Sequence, residues 1–221
     1  MSEAVTIADT RTPLFFVSYS RPTVRRAGNN PQEYVSRFFD DLSTHVSELV
    51  GLPTGVDPGF MDSTLSGGER WTPELLHAAG TCQVFIPLVS SSFISSPWCA
   101  MEWHAFARRR IEPRGPGASV HETAIVPVNW SPTAEASLPP SIRAIQRFSP
   151  TAIPDDNTVA RQYEQEGVYG LLTMQLEQAY RAVVWRLAQR VVAIHRAYRV
   201  HPLVPKGVDE LHTLFGEEAA V

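Results

Sequence analysis

Short apolar runs alternating with helical segments predict an α/β fold with a parallel sheet. Three observations carry this. The runs 14–19 and 84–89 are apolar nearly throughout rather than at alternate positions, as strands covered on both faces require. Between them, Tyr34, Val35, Phe38, Leu42, Val46, Leu49 and Val50 recur at helical spacing. At Thr72-Pro73 and again at Ser96-Pro97, a capping residue precedes a proline, which marks the start of a helix.

In chain order, residues 1–12 are small and polar and read as a flexible N-terminus. Leu14–Tyr19 is the first strand, closed by Ser20-Arg21-Pro22. A helix follows over 31–50, with Pro31 in its first turn. Gly59–Asp62 is a short second strand leading into the small-residue loop 63–71. Thr72 then caps a helix that Gly80 ends. Gln83–Ser90 is the third strand, and the next helix runs from Pro97 to Arg110, with three arginines at the negative end of its dipole. Residues 123–130 form a fourth strand and 144–148 a short fifth. From about 158 to 199 the pattern is one long helical region. Its stripe of Leu176, Tyr180, Val183, Leu187, Val191, Ile194 and Tyr198 is heptad-like, and reads either as a helix packed along the sheet or as a dimerising helix. Residues 201–221 read as a tail.

Composition excludes several classes. A formal charge of −4 argues against general attraction to nucleic acid. No apolar run approaches the length of a membrane span, and the N-terminus lacks the basic start and apolar core of a signal peptide. Two cysteines without a CxxC give no disulfide framework, which places the chain in a reducing cytoplasm. GxGxxG, GxxxxGK[ST], GxSxG and HExxH are all absent, and the seven histidines show no metal spacing. No metal or cofactor is expected.

What remains is the stretch Ser95-Ser96-Pro97-Trp98-Cys99-Ala100-Met101-Glu102-Trp103 after the third strand. In a helix, Trp98 and Glu102 share a face. Ligands of open α/β sheets bind at this edge, so Glu102 reads either as a site carboxylate or as a solvated first-turn acid favoured by the helix dipole. Cys99 reads as a buried structural thiol, since no orienting base accompanies it.

Three motifs in order then resemble a TIR domain: Phe15-Phe16-Val17-Ser18-Tyr19-Ser20-Arg21; Phe60-Met61-Asp62 with a glycine-containing loop and Trp71, similar to the family's BB loop; and Val84–Ser90 followed by Ser96-Pro97-Trp98-Cys99-Ala100-Met101-Glu102. Gly59-Phe60-Met61-Asp62, Cys99-Ala100-Met101-Glu102-Trp103, Ile125-Val126-Pro127-Val128 and Gly170-Leu171, the last read as opening the final helix, further resemble the actinobacterial TIR-like FxsC family. Those proteins accompany short FxSxx-COOH peptides and their maturation machinery.

The resemblance implies a flavodoxin-like fold of about five parallel strands, ordered 2-1-3-4-5, spanning residues 13–200 with a long C-terminal helix. It also implies an NAD+ glycohydrolase whose substrate is NAD+, with Glu102 as the catalytic carboxylate of a WxxxE-type motif begun by Trp98. Arg21 carries over as the loop arginine and Trp71 as the aromatic after the loop glycines. An ionised Glu102 would stabilise the oxocarbenium-like sugar formed as nicotinamide leaves. Trp98 or Trp71 would wall the site, and the amides of Gly67 and Gly68, with Arg21 or Arg70, would hold the pyrophosphate. Ser18 and Asp62 lie at strand ends facing it. Trp71 reads equally as core, Arg70 as solvated, and Asp62 as a cap of the loop. TIR–TIR self-association is a further expectation. The competing class is a non-catalytic scaffold that binds protein partners, including peptide-maturation proteins, through loop 63–71 and the C-terminal helix. A third option is a module that binds NAD or a related ligand without cleaving it.

Overall fold

β1 (Phe15–Ser18) lies inside a four-stranded parallel sheet, between β2 (Gly59–Met61) and β3 (Val84–Val89), with β5 (Val128–Asn129) beyond β3. This computed structural model describes residues 12–21, 31–62, 72–115, 123–150 and 157–216. β1 and β3 are buried at every position, as their unbroken apolar runs require. Phe16 stacks on Phe60 of β2 at 5.5 Å and on Phe85 of β3 at 5.6 Å, and Phe85 stacks on Phe106 at 5.4 Å. Each such pair adds roughly 0.5–1.5 kcal/mol beyond its buried area. The ladder therefore fixes the register that aligns the ends of β1, β2 and β3.

Helices cover the sheet. α1 (Pro31–Val50) buries Val35, Phe38, Leu42 and Val46, one stripe at helical spacing. α2 (Pro73–Thr81) begins as its sequence demands: Thr72 accepts a hydrogen bond from the Leu75 amide, and Pro73 occupies the first turn. After β3, Ser90 caps the short α3 (Ser91–Ile94), and α4 (Pro97–Ala107) follows. α5 is a single turn, Pro140–Arg143.

The flavodoxin-like expectation holds, with the sheet order observed for its four strands. The expected fifth strand at 144–148 is instead coil that touches the edge through one backbone hydrogen bond, Phe148 N–H to the Pro127 carbonyl at 2.8 Å. The fourth strand is also shorter than the apolar run 123–130: a lone bridge pairs Phe85 with Ile125 before β5 begins.

The long C-terminal helical region is two helices, α6 (Asn157–Thr173) and α7 (Glu177–Ala197), separated where Gln175 takes a left-handed φ of 58°. α6 is itself kinked at Gly167 (φ 64°), where a Cβ would lie 2.6 Å from the Trp130 carbonyl oxygen. Gly170-Leu171 thus lies within α6 and does not open the last helix. The heptad-like stripe of α7 is core: Tyr180, Val183, Leu187, Val191 and Ile194 are buried, and the helix packs on α1. Arg37 fastens this contact, 2.5 Å from Glu177 and 4.8 Å above the Tyr180 ring.

A second, antiparallel sheet joins β4 (Ile111–Pro113) to β6 (Tyr198–Val200). Beside it, Arg109 is buried and donates to the carbonyls of Cys82 (2.7 Å), His201 (3.0 Å) and Ala79 (3.2 Å). Of the three arginines expected to complement the helix dipole, this one instead bonds carbonyls in and after α2 and after β6. α4 ends at Ala107, short of Arg110.

Residues 201–216 fold back onto the domain. The Leu203 amide donates to the Gly80 carbonyl at 2.9 Å, so close that a Cβ on Gly80 would meet Val204 Cα at 2.6 Å. Phe215 packs on Phe93 (5.5 Å) and Trp103 (5.9 Å), covering part of α4.

Candidate active site

The strand order 2-1-3 reverses direction between β1 and β3, and the crevice at the carboxyl ends of these strands is where flavodoxin-like sheets bind ligands. Ser18 ends β1, and its register partner on β3 is Pro87, which has no amide hydrogen. Asp62 follows the last residue of β2. Glu102 arrives on α4, whose start is fixed by Pro97 and by Ser96 Oγ, which accepts from the Cys99 amide at 3.3 Å. Capped there, the helix carries Glu102 in its second turn. It is not a solvated first-turn acid: only 8% of it is exposed, and Ser18 Oγ donates a hydrogen bond to its Oε2.

A second cluster stands beside this pair. Arg21 donates to the Asp62 carbonyl oxygen at 3.0 Å and pairs with its carboxylate at 3.2 Å. The Tyr19 hydroxyl donates to the same carbonyl at 3.0 Å and accepts from Gln32 Nε2, in the first turn of α1, at 2.6 Å. Sequence reasoning singles out neither Tyr19 nor Gln32. Tyr19 carries a usable signal, a phenol at the exit of a buried strand, whereas Gln32 carries none.

The electrostatics follow from burial. Loss of solvent pushes the Glu102 carboxyl up to about 8; the Ser18 hydrogen bond acts against this, Asp62 adds to it, and Arg21 opposes it. The group therefore favours its protonated form at neutral pH. Burial, reinforced by Glu102, also pushes the Cys99 thiol up, which removes it as a nucleophile. The Tyr19 phenol is raised by burial.

Of the residues expected at the site, Ser18 meets Glu102 and Arg21 meets Asp62, with both pairs at one sheet edge. Arg21 is partnered by Asp62 and does not present its charge outward alone. Trp98 stands one turn before Glu102 and is 41% exposed. Gly67, Gly68, Arg70 and Trp71 lie outside the described residues. Among the described residues, no group of three or more His, Cys, Asp or Glu side chains is placed to hold a metal ion, and no helix is long and apolar enough to cross a membrane.

A buried carboxyl poised to ionise, with a hydroxyl donor and an arginine–aspartate pair beside it, suits stabilisation of a cationic centre. No curated protein matches the chain. A family described as TIR domain matches residues 15–162, which include β1, β2, β3 and α4 with Ser18, Arg21, Asp62 and Glu102. On that match, across about two thirds of its length, the chain belongs to the TIR domain family.

Proposed function

We propose that this TIR domain cleaves NAD+ at the nicotinamide–ribose bond, with Glu102 as the essential carboxylate. The observation that carries this is the buried Glu102 held by Ser18 at the β1/β3 switch point. The C1′–N bond breaks with its electron pair passing to nicotinamide, which leaves as a neutral base. The sugar becomes an oxocarbenium-like cation, and an ionised Glu102 stabilises it. Water adds at C1′ and sheds a proton to give ADP-ribose, or the adenine ring closes on C1′ to give the cyclic product. Because the leaving group already carries the positive charge, the reaction needs no general acid. The same positive charge favours ionisation of a carboxyl that otherwise keeps its proton.

We take residues 13–200 as the working unit of an FxsC-like TIR protein, with a cytoplasmic setting and self-association as its mode of assembly. One observation favours a second reading. Glu102 is almost closed to solvent, and Asp62, from which loop 63–71 departs, is pinned by Arg21 and Tyr19. A site that never opens would leave a scaffold that binds partners, including peptide-maturation proteins, through that loop. Chromatography of concentrated protein incubated with NAD+, with and without a crowding agent, separates the two. Nicotinamide release supports the enzyme, and the accompanying peaks name its product. Folded protein that neither releases nicotinamide nor binds NAD+ supports the scaffold.

A further inference from the structure

Among the described residues, the hydrogen bond that holds Glu102 comes from Ser18. Ser18 is 1% exposed, fixed at the end of a strand buried at every position, and bonded to one carboxylate oxygen, Oε2. Resting on the reading of Glu102 as the reacting carboxylate, we propose that Ser18 is a positioning residue that acts through Glu102: it fixes the carboxylate's orientation, leaves Oε1 for the substrate, and favours the charged form that the reaction uses.

The physical basis is asymmetric donation. A hydroxyl donor aimed at a carboxylate stabilises the ionised state, and in a buried site no water replaces it when it is lost. Among the described residues, the other groups around the carboxyl do not substitute for it. From the segment after β2, Asp62 opposes ionisation, and Arg21, from the segment after β1, favours it while already paired with Asp62. On α4 itself, the Cys99 thiol is held protonated by burial and by Glu102. Tyr19 spends its hydroxyl on the Asp62 carbonyl. Ser18 is therefore the donor that favours the charged form.

The test compares wild type with Ser18→Ala, which removes the hydroxyl, and Ser18→Thr, which keeps one, each checked for folding by circular dichroism. The carboxyl carbon of Glu102 is titrated by NMR in 13C-labelled protein, its signal assigned by its absence in Glu102→Gln. The expected result is a midpoint about one to two pH units higher in Ser18→Ala, from the loss of one hydrogen bond to a charged group. Nicotinamide release should lose about tenfold in kcat at pH 7, with KM for NAD+ within about twofold and the acid limb of the rate profile moved by the same interval. Ser18→Thr should restore both. An unmoved carboxyl midpoint in folded Ser18→Ala overturns the proposal, whatever the activity, and so does a rise in KM with kcat unchanged, which marks direct substrate contact. If wild type releases no nicotinamide while the midpoint still moves, the proposed reaction fails and the Ser18–Glu102 coupling stands.

Discussion

Arg21 grips Asp62 twice, through the backbone carbonyl at 3.0 Å and the carboxylate at 3.2 Å. The double contact ties the segment after β1 to the residue where loop 63–71 leaves β2. It also neutralises the charge that would most oppose ionisation of Glu102.

Arg21→Ala should therefore affect activity far more than stability. The pair is partly exposed, with side-chain exposures of 32% and 17%, so its loss should cost about 1 kcal/mol or less in urea unfolding. Nicotinamide release should fall roughly tenfold at pH 7, because Asp62 then acts unopposed on the carboxyl. Arg21→Lys should recover much of the rate, since one guanidinium nitrogen, Nη2, makes both contacts and an ammonium carries the same charge and enough donors.

Glu102→Gln should stabilise the protein at alkaline pH. The folded-state carboxyl is raised to about 8 from the ordinary 4.5, so the native state binds more protons than the unfolded state between those values. Stability therefore falls as pH rises above about 4.5, and the full penalty is present above about 8. That penalty is of the order of a few kcal/mol. Glutamine is neutral throughout and escapes it. Melting curves should show Glu102→Gln near wild type at about pH 5 and several degrees higher at about pH 9.

The C-terminal segment should loosen in acid. His104 on α4 stacks on His212 at 4.0 Å, and the His212 amide donates to His104 Nδ1 at 3.3 Å. Burial holds the His104 imidazole below its ordinary range, with His212 and Arg108 acting the same way. The folded state thus binds fewer protons than the unfolded chain, so this contribution is present above about 6.5 and is lost as pH falls below it. Hydrogen exchange of the 208–216 amides should quicken between about pH 7.5 and pH 5.5 beyond its intrinsic pH dependence. In His104→Asn, which keeps an acceptor but cannot titrate, that excess should largely vanish.

Gly167→Ala should destabilise by about 1–3 kcal/mol in urea unfolding. Its φ of 64° disfavours any side chain, and the added Cβ would lie 2.6 Å from a backbone oxygen of Trp130. Gln165→Ala, at an exposed position of the same helix before the kink, is the control and should change stability by less than about 0.5 kcal/mol.

The parts of this fold legible in the sequence are those governed by local chemistry. The apolar runs of β1 and β3, the stripe of α1, and the Thr72-Pro73 and Ser96-Pro97 caps all recur in the structure as read. What escaped depends on distant partners. The run 144–148 has strand-like composition but gains only one backbone hydrogen bond toward the sheet edge. The break after Thr173 carries no glycine or proline; Gln175 takes the left-handed turn instead. β4 and β6 pair across a long stretch of chain, and burial of Arg109 follows from carbonyls that converge only in the folded molecule. At the site, Glu102 is visible as a carboxylate at the right sheet edge, whereas the Tyr19–Gln32–Asp62 contacts need the fold to bring three segments together.

That Glu102 acts as an ionised carboxylate on NAD+ is tested most directly by nicotinamide release from wild type and from folded Glu102→Gln. The rates are measured from about pH 6 to pH 9 at saturating NAD+. The predicted result is a wild-type rate that rises with pH to a plateau and a Glu102→Gln rate at least about a hundredfold lower throughout. A Glu102→Gln rate within a few fold of wild type, or a folded wild type that binds NAD+ and leaves it intact across the range, would contradict it.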